Sequence, residues 1–297
     1  MWQGVIPAVT TKFTPEGGLD SAEMRRCYRL LIDAGCDGLI ACGSLGEGPM
    51  LTHAERVDVL KLCKEAAGSK PAILTICEAS TRDACTLAEK AARAGADGLM
   101  VVPSPIYFTD RRETVTVLRT IASATSLPIM IYSNRIAYRV DVTTDMLEEL
   151  ADEPKLVAIK ESCDDIRRTI EIINRLGDRY DVFTGVDNLA FEALSVGAVG
   201  WVAGVMAFPR ETVVIHRLIK AGRHAEALAI YRWFRPLLDL DVSTYLVQNL
   251  KLVEALVTGT NDRVRAPRLA HGGERRAQIE ALVARALATR PRLPAIA

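Results

Sequence analysis

The 297-residue sequence predicts a (β/α)8 barrel, and three observations carry that prediction. Short apolar runs alternate with amphipathic segments along the first two thirds of the chain. Those runs are apolar almost throughout, the pattern of strands buried on both faces in a parallel sheet. A unit of helix-closing glycine, tight turn and new apolar strand also recurs: Ala34-Gly35-Cys36-Asp37-Gly38-Leu39-Ile40, then Ala94-Gly95-Ala96-Asp97-Gly98-Leu99-Met100, then a looser copy from Val196 to Val202. Recurrent helix–turn–strand units indicate βα repetition, and eight of them close into a barrel. The rival is a doubly wound open sheet, which usually shows G-x-G-x-x-G after its first strand. Val9-Thr10-Thr11-Lys12-Phe13 has no such glycines.

Taken in order, Val5 to Val9 reads as the first strand. Asp20 opens a helix, with Glu23 as its capping-box partner. Met24, Cys27, Tyr28 and Leu31 fall at i, i+3, i+4 and i+7 and form one stripe, and Gly35 closes the helix. Gly38 to Ala41 is the second strand; Thr52 and Glu55 cap the next helix. Ala72 to Ile76 is the third strand, and Thr81 to Ala94 a helix that Gly95 ends. Strands four to eight follow at Leu99–Val102, Ile129–Tyr132, Val157–Lys160, Val182–Thr184 and Trp201–Ala203. Beyond them the pattern becomes helical, with striped segments at Tyr231–Leu240, Leu246–Val257 and Gln278–Ala288. Residues 1–209 therefore read as the barrel with its site. Residues 210–297 read as the last barrel helix and a C-terminal three-helix extension of the same domain. Arg290-Pro291-Arg292-Leu293-Pro294 reads as a mobile tail.

Composition narrows the function. Lys plus Arg and Asp plus Glu both number 37, a balance that argues against nucleic acid or an anionic membrane as the main partner. Apolar residues make up 49%, enough for a large core. The seven cysteines form no C-x-x-C pair and lie mostly in apolar runs, as reduced thiols of a cytoplasmic protein do. Met1-Trp2-Gln3-Gly4 does not begin a signal peptide, and no apolar run reaches the roughly 18 residues of a membrane span. The four histidines are isolated, with no metal-ligand spacing, so neither a metal nor another cofactor is expected.

Chemistry is expected where the strands end, at the C-terminal mouth of the barrel. Leu156-Val157-Ala158-Ile159 runs straight into Lys160. A lysine held there, partly desolvated, is a readier neutral nucleophile; the alternative is a lysine that reaches out to solvent. Tyr132 ends the preceding strand, so the two side chains can meet. Tyr132 could transfer protons, or be a core ring with a satisfied hydroxyl. Gly43-Ser44-Leu45-Gly46-Glu47-Gly48 follows strand two, either as a carboxylate-binding turn or as an ordinary tight turn. Tyr107, Ser133, Asn134, Gly185, Asp187 and Asn188 also follow strands. Glu78, after strand three, could contact substrate or be a solvated rim charge. Glu161, Asp164 and Asp165 read as a charge cluster at a helix N-terminus.

The ordered set Gly43-Ser44-Leu45-Gly46-Glu47, Pro105-Ile106-Tyr107, Ile131-Tyr132, Ile159-Lys160-Glu161 and Thr184-Gly185 resembles the dihydrodipicolinate synthase / N-acetylneuraminate lyase family. The resemblance spans the barrel and the C-terminal helices. It implies a homotetramer, a dimer of dimers, acting on a small 2-oxo acid or cyclic imine. It implies a Schiff base on Lys160, proton shuttling by Tyr132 with Ser44, and a relay completed by Tyr107 across a subunit interface. The turn at Gly43, Ser44 and Leu45 would hold the substrate carboxylate.

Two departures bear on the substrate. The synthases of that family carry two hydroxyl residues in the glycine turn, and here the second is Leu45. They also place an arginine a few residues after the strand-five tyrosine, where this chain has Ala137. The stretch Ile131 to Arg135 with Tyr138 and Val140 to Thr143, together with Cys42 to Glu47, is most similar to a catabolic branch. That branch includes Δ1-pyrroline-4-hydroxy-2-carboxylate deaminases of hydroxyproline breakdown, and this activity is the expectation. The alternatives are an aldolase or dehydratase of a 2-keto-3-deoxy sugar acid, 4-hydroxy-tetrahydrodipicolinate synthase, or a barrel that binds a ligand without turning it over. Ser133, Asn134 and Glu78 are expected to set the substrate side of the mouth.

Overall fold

The computed structural model describes residues 2–103, 106 and 109–296. Eight parallel strands form the sheet: β1 Gly4–Val5, β2 Leu39–Ala41, β3 Ala72–Ile76, β4 Gly98–Val101, β5 Ile129–Ser133, β6 Leu156–Glu161, β7 Asp181–Thr184 and β8 Gly200–Trp201. They pair in the order β1-β8-β7-β6-β5-β4-β3-β2. A bridge between Ala8 and Ile40 closes the ring, with Ile40 N donating to Pro7 O at 2.8 Å and Val9 N to Ile40 O at 2.9 Å. The predicted barrel is present. The first strand is shorter than its apolar run because Pro7 has no N–H to give the ladder.

Two packed layers follow from the alternation of strand side chains. Ile40, Ile73, Met100, Met130, Ala158 and Phe183 fill the interior, closed below by Trp2. Their strand neighbours, such as Leu39, Leu74, Leu99 and Ile159, face the surrounding helices. The repeated sequence unit has a local purpose. Asp37 Oδ2 accepts Val5 N, and Asp97 Oδ2 accepts Ala72 N, both at 2.8 Å. Each aspartate thus ties its αβ turn to the neighbouring strand start. The glycine after it allows close contact: a β-carbon at Gly98 would lie 2.3 Å from the Trp2 ring, and one at Gly38 2.7 Å from Pro71 O.

The helix Pro209–Lys220 completes the barrel, and His224–Leu238, Leu246–Thr258 and Gly273–Ala288 form the extension. Two ion pairs tie the middle helix to the barrel. Lys251 Nζ lies 2.5 Å from Glu47 Oε1, both fully buried, and Lys12 Nζ lies 2.5 Å from Glu254 Oε2. The C-terminal stretch is docked rather than a loose tail. Arg290 forms a two-pronged pair with buried Glu211, at 2.5 and 3.1 Å. Leu293 and Ile296 pack on the core, and Arg223 holds Ala295 O at 3.0 Å. No helix among the described residues is long and apolar enough to cross a membrane.

Candidate active site

Lys160 projects into the barrel mouth because its strand parity is that of Ala158, an interior residue. It is 6% exposed. β5 and β6 pair in register with Tyr132 opposite Lys160, and Lys160 Nζ stands 4.0 Å from the centre of the Tyr132 ring. An ammonium or an iminium at that position is stabilised by the face of the ring. Gly185, just beyond β7, makes room for the lysine: a β-carbon there would lie 2.3 Å from Lys160 Cε and 2.1 Å from Ser162 Oγ.

Asn134 holds the tyrosine. Its Nδ2 donates to Tyr132 Oη at 3.1 Å, while its Oδ1 accepts Ala137 N at 2.8 Å and caps the short helix Arg135–Tyr138. With its oxygen occupied as acceptor, Tyr132 keeps its proton for the cavity. Ser133 does not reach the mouth. It has the opposite parity, is fully buried, and accepts Val142 N at 3.3 Å beside Cys163. Its expected substrate contact is therefore corrected.

The turn after β2 is shaped by close approach. A β-carbon at Gly48 would lie 1.9 Å from Cys42 O, and one at Gly46 2.8 Å from Val9 O. The N–H groups of Glu47 and Gly48 are spent inside the turn, on Ser44 O and Gly43 O. Those of Ser44 and Leu45 have no partner among the described residues. Ser44 Oγ is hydrogen-bonded to Tyr138 Oη, and the Tyr138 ring packs edge-on against Tyr132 with centroids 5.8 Å apart.

A cavity of about 680 Å3 joins these groups. Gly43, Ser44, Leu45, Tyr132, Asn134, Lys160 and Gly185, seven of the predicted site residues, line it. Tyr138, Ser162, Asp164, Asp241 and Arg268 line it too, and the sequence reasoning assigned none of them a site role. Ser162 Oγ is buried without a hydrogen-bond partner among the described residues. The Arg268 side chain has no ion pair or hydrogen bond among the described residues. Tyr138 had a sequence signal through its place in the stretch after strand five, and Asp164 through the charge cluster after Lys160; Asp241 and Arg268 sit between helices of the extension.

Fully buried Asp187 and half-buried Asp241, on the cavity wall, form an acidic pair. The Asp187 carboxylate accepts Trp201 Nε1 at 2.8 Å, Val205 N at 2.6 Å and Gly204 N at 3.0 Å. Asp241 Oδ2 accepts only a long 3.5 Å contact from Asp187 N. Burial raises both carboxyls above the usual range. The three donors favour charge on Asp187, and its charge raises Asp241 further, against the pull of Lys160. The proton of the pair belongs on Asp241.

Other expectations divide. Glu78 lies outside this cavity; it is half-buried and paired with His53 Nε2 at 2.7 Å and Arg56 Nη1 at 2.8 Å, so it is not a solvated rim charge. It borders a separate cavity of about 550 Å3, with Ser80, Arg112 and Thr116, away from Lys160. The acidic cluster after Lys160 splits three ways. Asp165 caps the helix Ile166–Leu176, Glu161 is buried against Arg168, and Asp164, held at φ 55°, lines the mouth. Tyr107 lies outside the described residues.

Residues 1–286 match the model of the dihydrodipicolinate synthetase family. The chain is 34% identical over 205 residues to an uncharacterized DapA-like lyase of Rhizobium meliloti, covering 69% of this chain and 68% of that one. It is 33% identical to 4-hydroxy-tetrahydrodipicolinate synthase 2 of Streptomyces coelicolor, covering 89% and 88%. Among solved structures, dihydrodipicolinate synthase from Aquifex aeolicus superposes with a TM-score of 0.91 at 27% identity, covering 96% and 98%.

Proposed function

Because this chain belongs to the dihydrodipicolinate synthetase family and is a lyase of the Schiff-base kind, we propose that Lys160 forms its imine with a small 2-oxo acid or cyclic imine, and that the substrate is Δ1-pyrroline-4-hydroxy-2-carboxylate. The observation that carries the reading is Lys160 Nζ held 4.0 Å from the Tyr132 ring inside the mouth cavity. The deaminase reading adds the neutral Asp241 carboxyl on the cavity wall and the absence of a cation at position 137.

The steps balance as follows. Lys160 attacks C2 of the ring, the C2–N bond breaks, and the ring nitrogen leaves as a primary amine on C5. Tyr132 gives its proton to the departing ring nitrogen, and the lysine imine then acts as electron sink while the Tyr132 phenolate takes a C3 proton. The C4–O bond breaks, and the hydroxyl departs as water with a proton from Asp241. Loss of a C5 proton, with protons returned to C4 and C3, moves unsaturation to the C5–N bond. Water hydrolyses that imine to an aldehyde and ammonia, and a second water frees Lys160. One water is released and two are consumed, giving 2,5-dioxopentanoate and ammonia.

A second reading is 4-hydroxy-tetrahydrodipicolinate synthase, the name that several relatives carry. Arg268 favours it, since a guanidinium in the cavity with no partner among the described residues could take a second carboxylate. An assay panel separates the readings: Δ1-pyrroline-4-hydroxy-2-carboxylate, 2-keto-3-deoxy sugar acids, N-acetylneuraminate, and pyruvate with aspartate semialdehyde. Turnover of the pyrroline with release of ammonia is expected; turnover of another substrate alone rejects the deaminase. Borohydride trapping with pyruvate or the pyrroline should add mass at Lys160. A homotetramer, tested by sedimentation, would complete the site with Tyr107 of a second subunit.

A further inference from the structure

The segment leaving β6 carries two polar groups that the proposed steps leave unused. Ser162 has the strand parity of Lys160, lines the mouth cavity and is 3% exposed. Its Oγ has no hydrogen-bond partner among the described residues, although it stands beside the lysine stem where Gly185 leaves room for both. An unpaired buried hydroxyl is costly to maintain, and a bound group that supplies its missing hydrogen bond removes that cost.

Asp164 follows on the same segment and lines the same cavity from its exposed rim. Its carboxylate has no ion pair or hydrogen bond among the described residues. Arg135 is the charge that acts on it, and Arg135 lies 3.8 Å from Asp141. Asp164 in turn acts on Asp241, so the two carboxyls approach one another on the cavity wall. With the proton of the Asp187–Asp241 pair on Asp241, Asp164 is left as the carboxylate of this wall. Ser162 Oγ and Asp164 together offer lone pairs and negative charge, which suits a protonated amine.

We propose that Ser162 and Asp164 form a site for an ammonium group remote from the carbon that Lys160 attacks, and that Asp164 is thereby a specificity-determining residue for substrates with a nitrogen on C5. The inference rests on the cyclic-imine reading. Ring opening leaves an amine on C5, tethered to the carbon it has just left. Such an amine recloses readily, because the tether holds it at high effective concentration. An alkylamine takes a proton from water at neutral pH. Held by Asp164 as the ammonium, it has no lone pair with which to reclose. The opened intermediate then persists until the C4–O bond breaks, and the nitrogen returns the proton when the C5–N unsaturation forms.

The test measures the concentration of each probe that half-saturates borohydride-trapped adduct at Lys160. The probes are Δ1-pyrroline-2-carboxylate and 2-oxopentanoate. Both give a C2 imine beside a carboxylate and lack the 4-hydroxyl, so neither dehydrates; they differ in the nitrogen on C5. Asp164 is held at φ 55°, a conformation that asparagine and glycine both accept, so Asp164→Asn and Asp164→Gly remove the charge without refolding the turn. In both variants the requirement for the pyrroline should rise about fivefold relative to that for 2-oxopentanoate, the scale of one charged hydrogen bond at a partly exposed site. An unmoved ratio between the probes overturns the inference, and ammonia released by the wild type from Δ1-pyrroline-4-hydroxy-2-carboxylate would leave the deaminase reading standing. A moved ratio without that ammonia keeps the ammonium site and rejects the deaminase. Failure of the folded wild type to trap the pyrroline overturns the inference; failure with both probes overturns the Schiff-base reading as well.

Discussion

Gly185 and Lys160 occupy space that only a hydrogen can share: a β-carbon at 185 would sit 2.3 Å from the lysine Cε. The Gly185→Ala variant must therefore push the lysine stem away from Tyr132. Adduct trapped at Lys160 should fall at least about tenfold, the scale of loss when a reacting group is displaced by an ångström or so. Thermal unfolding should shift much less than activity, since the clash is with a side chain at the open end of the barrel. Trapping at the wild-type level would show that the lysine can reach its target by another path.

Arg268 is half-buried on the cavity wall and has no side-chain partner among the described residues. Arg268→Ala should raise KM about tenfold or more for a substrate with a polar or anionic group remote from C2. Pyruvate, which has no such group, should be trapped as well by the variant as by the wild type. Steady-state kinetics of the turned-over substrate, set beside pyruvate trapping, provides the comparison. Equal loss for both would place the guanidinium at the C2 carboxylate instead.

Asp241 imposes a pH dependence whose sign follows from its position. Burial and Asp187 raise its pKa, with Lys160 and Asp164 as the other charged groups acting on it. From the unfolded value near ~3.9 upward, the folded chain holds more protons than the unfolded one. Stability is thus fullest below that value and declines as pH rises towards the folded pKa. Asp241→Asn removes the ionisation, so its melting temperature should exceed the wild type's at neutral pH and converge with it near pH ~3. Dehydration of a hydroxylated substrate should fall about a hundredfold, the low end of a lost acid catalyst. Parallel melting curves for the two proteins from acid to neutral pH would count against the raised pKa.

The barrel and the lysine were legible because both depend on local pattern. Buried parallel strands are apolar runs, and a charged residue at the end of one is conspicuous. Strand parity was legible in principle, and it is what separates Tyr132 from Ser133. Treating each residue after a strand as facing the mouth ignored that alternation. Glu78 was misread for a different reason. Its partners His53 and Arg56 lie on another element, and sequence spacing does not report an ion pair between helix and loop. Asp241 and Arg268 were invisible because they reach the site only through the packing of the C-terminal helices.

The pair formed by Lys251 and Glu47 is fully buried and isolated from bulk water. Burial lowers the lysine pKa to about 8, with Glu47 opposing that shift. Removing one partner strands the other, so Lys251→Met should cost about 3–5 kcal/mol of stability. The double variant Lys251→Met with Glu47→Gln should recover much of that loss, because no lone charge remains. Denaturant titration of the two variants reads the difference, and an additive loss would argue that Glu47 matters chiefly through its other bond, to Arg265 N at 2.9 Å.

Lys160, Tyr132 and Ser44 stand on or directly after strands, whereas Asp241 and Arg268 flank the helix Leu246–Thr258. The nucleophile and part of the cavity wall around it are therefore carried on separate stretches of chain. The wall contributed by residues 239–272 can change while Lys160 stays in place at the end of its strand. A chimera that exchanges this region between two relatives would carry preference from one to the other without a single change at the nucleophile.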